Sequence, residues 1–184
     1  MQTADITTWL HAWQQGDENS FDCLVPAVYG ELKQLAANAL RGQQGHGTLQ
    51  PTALVHDALL KLAGAQTLDL QDRKHFFVTM AKVMRQLLID RARAQSRGKR
   101  GGDWQRVELT QLLPVAIDPR HDLIDLHNAL QDLSAADARV ASIIELRYFG
   151  GLEVEEVAQL LEIDERTVYR DYAFARAWLA QRLA

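Results

Sequence analysis

Cysteine occurs once, at Cys23, so the chain can build neither an internal disulfide framework nor a thiolate zinc site, and Cys23 is expected to be a small buried hydrophobe. Long apolar runs are missing too: none approaches the length that spans a bilayer. The stretch MQTADITTWLHAWQQGDENS has neither the basic start nor the apolar centre of a secretory signal, which predicts a cytoplasmic protein with no membrane partner. Few β-branched residues alternate with polar ones, so sheets are not expected. Enzyme signatures are equally scarce. His11, His46, His56, His75, His121 and His127 fall at no metal-ligand spacing, no glycine-rich phosphate loop follows a strand, and no nucleophile sits in a recognisable turn. Neither catalysis nor a cofactor is expected, and each histidine reads as a surface or capping residue.

What is present is a chain whose 47% hydrophobic content can fill one sizeable core or two small ones. Its net charge of −4 argues against nucleic acid until it is divided along the chain. Residues 1–71 carry 3 Lys+Arg against 7 Asp+Glu, residues 72–106 carry 10 against 3, and residues 107–184 carry 7 against 14. The resulting −4, +7 and −7 place the positive charge in one band, which can hold a nucleic-acid backbone although the whole molecule is acidic.

That band holds the stretch around which the chain is organised, QDRKHFFVTMAKVMRQLLIDRARAQSRGKR. Phe76, Phe77, Met80, Val83, Met84, Leu87 and Leu88 recur at the spacing of one helical face, while Lys82, Arg85, Arg93 and Arg97 fall on roughly the opposite side. One side calls for a core and the other suits phosphate; a plain solvated basic face is the alternative.

Residues 5–40 read as two helices, with Ile6, Trp9, Leu10 and Trp13 on one and Phe21, Leu24, Val25, Val28, Leu32 and Leu35 on the other. The glycines of Arg41 to Gly47 make a loop. A third helix opens at Thr48-Leu49-Gln50-Pro51-Thr52, with Pro51 in the first turn and Thr48 or Gln50 as cap, and its stripe is Leu54, Val55, Ala58, Leu59 and Leu62. Beyond Arg97, glycines and prolines without period predict a linker over 101–121. A second helical unit follows, with Leu123, Leu126, Leu130 and Leu133 on one helix and a capping-box-like start at Ser134-Ala135-Ala136-Asp137 for the next. The end of the chain alternates a short helix (Val154, Val157, Ala158, Leu161), a tight turn, and a second helix capped by Asp164 with inner face Val168, Tyr172, Ala175 and Leu179. This is the helix-turn-helix plan, and Arg166, Thr167, Tyr169 and Arg170 stand where such a helix meets base edges; two helices of an ordinary bundle fit the same pattern.

Taken in order, LVHDALLKL, HFFVTMAKVMRQLLIDRARAQSRGKR and LSAADARVASIIELRYFGGLEVEEVAQLLEIDERTVYRDYAFARAWL resemble the core-binding, −10-reading and −35-reading segments of the extracytoplasmic-function sigma factors. The resemblance covers nearly the whole chain. It implies an all-α protein of two small helical domains, sigma2-like over 1–100 and sigma4-like over 122–184, joined by a flexible linker. It further implies binding to RNA polymerase core, through the β′ coiled coil and the β flap, and to promoter DNA. Lys82, Arg85, Arg93 and Arg97 then serve the −10 element, Arg166, Thr167, Tyr169 and Arg170 the −35 element, and Leu54, Val55 and Asp57 the polymerase. An acidic half around the reading helix suits a subunit delivered by a large enzyme better than a free-standing helix-turn-helix regulator, which is the competing reading.

One departure matters. Where the family resembles Asp-Ala-Glu-Asp ahead of Leu-Val-Gln-Glu, this chain has Gln50-Pro51-Thr52-Ala53 ahead of Leu54-Val55-His56-Asp57. The carboxylates that meet the β′ coiled coil are gone and a hydroxyl stands among their replacements. In this the chain resembles the branch that works with Ser/Thr protein kinases, and Thr52 becomes the expected phosphorylation site.

Overall fold

The computed structural model describes residues 3–41, 49–65, 69–98 and 123–183, and among them every regular element is helical. The order is α1 (Thr3–Gln14), α2 (Glu18–Arg41), α3 (Pro51–Ala63), α4 (Arg73–Gly98), α5 (Leu123–Ala136), α6 (Ala138–Ile144), a π-helical turn over Glu145–Phe149 that continues α6, α7 (Val154–Leu161) and α8 (Glu165–Arg182). The all-α expectation holds. The expected linker over 101–121 lies outside the described residues, as do His46, Thr48 and His121.

Local chemistry sets the helix ends. Asp17 starts α2 by accepting from the Asn19 amide at 3.1 Å and the Ser20 hydroxyl at 2.6 Å. The Ser20 bond is the chief reason its carboxyl is held below the ordinary range. Asp72 receives the His75 amide at 2.8 Å at the head of α4. Before α4, Gln14 accepts from the Leu70 amide and donates to the Leu70 carbonyl, both at 2.9 Å, which ties the end of α1 to the approach of α4. Helix α5 runs straight through Ser134, so the cap of α6 is Asp137, whose carboxylate accepts from the amides of Arg139 and Val140, rather than a box beginning at Ser134. Gly150 caps the π-helical turn and Gly151 follows with φ +60, where a Cβ would lie 2.5 Å from Asn38 Cγ.

Helix α4 occupies the centre, touching α1, α2, α3, α7 and the π-helical turn. Two apolar clusters form around it, and both cross between the two helical units. The first joins α1–α4 with Ile143, Leu146, Val154, Val157 and Val168; the second is built by α5, α6 and α8 and takes in Ile89 of α4. The two units thus pack directly on one another. Cys23 corrects an expectation: it is exposed, because it lies outside the α2 stripe set by Leu24, Val28 and Leu32.

Candidate polymerase and promoter interface

The second helix of the helix-turn-helix, α8, is held by its inner residues Val168, Ala175 and Leu179, all fully buried, with Tyr172 packed beside them. The turn before it carries Glu162 in the left-handed region at φ 55 and then Asp164, the N-cap. Asp164 accepts from the Thr167 amide at 2.9 Å and from the Thr167 hydroxyl at 2.8 Å. The hydroxyl bond, first, and the amide bond hold its carboxyl below the ordinary range. Arg166, Tyr169 and Arg170 face solvent. Tyr169 is 59% exposed, so its ring lies on the outer surface of α8. Arg170 donates from Nε to Asp171 at 3.0 Å while Arg139 donates to the other oxygen of the same carboxylate at 2.8 Å. Of the four residues expected to read DNA here, three are outward and the fourth, Thr167, has its hydroxyl hydrogen engaged in the cap.

On α4 the expected cationic face divides. Lys82 is half-buried on the wall of an open cleft of about 540 Å³ between α4 and α5. The side chains of Arg93 and Arg97 lie outside the described residues. Arg85 is a correction: it is 5% exposed, because the other unit covers this side of the helix. Its Nε and Nη2 donate to the two oxygens of Glu145 at 3.0 and 2.5 Å, its Nη1 donates to His127 Nδ1, and its guanidinium lies 5.4 Å from the centre of the Phe149 ring. In this arrangement Arg85 offers nothing to phosphate. His127 accordingly departs from the surface role expected of the histidines.

The α3 contacts need the same revision. Leu54 and Val55, expected to meet polymerase, are fully buried as members of the α3 stripe, and Asp57 accepts from Arg91 Nη2 at 2.5 Å. The outward apolar residue is Leu60, 71% exposed. At the start of α3, Gln50 is the N-cap residue without a side-chain capping hydrogen bond, Pro51 follows, and the first turn holds no acid; Thr52 sits in that turn, half-buried.

Five residues escaped the sequence reading: Asn38, Leu60, His127, Glu145 and Asp171. Each had a signal. His127 lies beside Leu126 and three residues before Leu130, and Asp171 lies between Val168 and Ala175 at helical spacing, so both polar groups stand on apolar stripes. Leu60 is the reverse, an apolar residue off the stripe.

Among the described residues no cluster of metal-ligating side chains and no helix long and apolar enough to cross a membrane occurs. A family model described as ECF sigma factor matches residues 3–184. No curated protein matches the chain.

Proposed function

The chain belongs to the ECF sigma factor family, and we propose that it is a sigma factor switched on by phosphorylation of Thr52. As a member of that family it binds RNA polymerase core and promoter DNA and directs transcription initiation. The observation that carries the finer reading is the bare start of α3, with no side-chain cap on Gln50 and no acid in the first turn. The leading N–H groups of a helix have no intrahelical partner and the dipole there favours an anion, so phosphate on Thr52 stabilises the turn instead of melting it. It adds about −1.5 to −2 charges and three strong acceptors for basic residues of the β′ coiled coil. Leu60, exposed about two turns further along the same helix, supplies a separate apolar contact, and a Ser/Thr protein kinase is the partner required.

In the same reading Arg166, Tyr169 and Arg170 meet the −35 element, with Thr167 offering its methyl and lone pairs. Lys82, Arg93 and Arg97 hold −10 DNA, and the second unit docks on the β flap. Acting with polymerase, the protein works in the cytoplasm. The test compares wild type and Thr52→Ala for binding to core polymerase, with and without kinase treatment. Binding by kinase-treated wild type alone supports the switch; an alanine variant that binds and transcribes as well as treated wild type refutes it. A tagged chain that binds operator DNA but never retains polymerase core favours the free-standing regulator instead.

A further inference from the structure

The contacts between the two units are of an unusual kind for a packed seam. Arg85 of α4, Glu145 of the π-helical turn and His127 of α5 are 5%, 1% and 7% exposed, and three N–H directions of the guanidinium are spent on the other two residues. A second buried bond lies nearby, from Asn38 Nδ2 of α2 to the Gly150 carbonyl at 2.6 Å. At the margin Lys74 of α4 approaches Glu162 of the helix-turn-helix turn at 3.3 Å. Around these polar contacts the seam is apolar, with Ile143, Leu146 and Val157 set against residues of α1–α4.

A buried ion pair adds little net stability over an apolar pair of the same shape, yet it fixes one geometry, and both partners are content in water once separated. Such a contact suits a joint that must close in one way and also open. Its charges match the larger pattern, since α4, drawn from the segment with +7, is touched by the π-helical turn and α7 of the segment with −7. Glu145 therefore supplies to Arg85 the two oxygens that a promoter phosphate would otherwise supply.

We propose that this is an autoinhibitory clasp: in the free chain Glu145 and His127 hold Arg85 in the place of promoter phosphate, and the two helical units must part before α4 can engage DNA. The promoter role of α4 rests on the function proposed above; the closing role of the three residues does not. The closed population lowers the apparent DNA affinity by the fraction of chains that are open.

The full-length chain tests this without polymerase. Cys23 is exposed and is the only cysteine, so a label there and a second at Gln159→Cys, an exposed position on α7, report the distance between the units by double electron–electron resonance. Two variants loosen the clasp independently: Glu145→Gln removes the charge paired with Arg85, and Asn38→Asp sets a carboxylate against the Gly150 carbonyl. Wild type is expected to give a predominant short, narrow distance; both variants, with helical content retained, enlarge the longer population. The same samples titrated with a mixed-sequence single-stranded DNA oligonucleotide should bind more tightly than wild type by the ratio of their open fractions, about fivefold where that fraction rises from about a tenth to about a half. Unchanged distances in both folded variants overturn the clasp. Opened variants that gain no DNA affinity overturn its inhibitory role. A variant that loses its helices is judged by the other, and failure of the Thr52 switch leaves the distances as expected here.

Discussion

On α8, Arg170 keeps 68% of its side chain exposed although its Nε donates to the buried carboxylate of Asp171; on α4, Arg85 keeps 6% while donating to the buried carboxylate of Glu145. The two helices have similar patterns, an apolar stripe with arginines opposite, and the chemistry of each pair is the same. Their surroundings differ. Helix α8 lies with one face on α5, α6 and α7 and leaves the other to solvent, whereas α4 is covered by α1–α3 on one side and by the π-helical turn and α7 on the other. An apolar stripe identifies the first surface a helix buries and is silent about the second.

The largest expected effect breaks the pair on α4. Arg85→Ala strands Glu145 in a site where it is 1% exposed, so urea unfolding should show a loss of about 3–5 kcal/mol, up to the limit set by parting of the two units. The double variant Arg85→Met with Glu145→Leu fills the same space without charge and should recover most of that loss. A single variant within about 1 kcal/mol of wild type would make this pair equivalent to an exposed one and erase the contrast between the helices.

On α8 the corresponding change should barely register in stability. Arg170→Ala removes a pair that solvent screens, leaves Arg139 on Asp171, and is expected to cost at most about 1 kcal/mol. On the function proposed above its effect belongs to promoter binding, where loss of a bidentate arginine contact costs about 1–3 kcal/mol and relaxes preference at one base position. Equal weakening on every −35 variant would assign Arg170 to the DNA backbone.

These two arginines also mark how far the sequence could be read. Val168, Ala175 and Leu179 inside α8, Phe76, Met80 and Met84 inside α4, and the place of Pro51 and Thr52 in the first turn of α3 all follow from local period and helix-end chemistry, and the structure bears out their burial or position. The burial of Arg85 and the exposure of Cys23 were misjudged because each depends on which element lies, or does not lie, over the residue. Nothing within α4 announces that Glu145, sixty residues on, returns to cover it. The π-helical turn adds to the difficulty: its wider hydrogen bond, Gly150 N to Glu145 carbonyl at 3.0 Å, shifts the register after α6, and Glu145, Leu146 and Phe149 are all buried there.

The smallest expected effect concerns the exposed end of α8 and is read by pH. Asp164 binds the Thr167 hydroxyl and amide in its ionised form, so its pKa is lowered by folding. A group shifted this way contributes its stability above the unfolded value of about 4 and loses it as pH falls through the lower, folded value. Amide exchange at Thr167 and Val168 should therefore stay protected at neutral pH and loosen only below the ordinary aspartate range. Thr167→Ala removes the first cause of the shift and should move the Asp164 titration, followed by carboxyl NMR, back toward that range; Thr167→Ser keeps the hydroxyl and should leave it in place. Asp164→Asn, still a competent cap, should abolish the pH dependence. If Thr167→Ala leaves the titration unmoved, the hydroxyl is not committed to the cap. Thr167 is then free to donate to a base edge, as Arg170 is and Arg85, in the closed chain, is not.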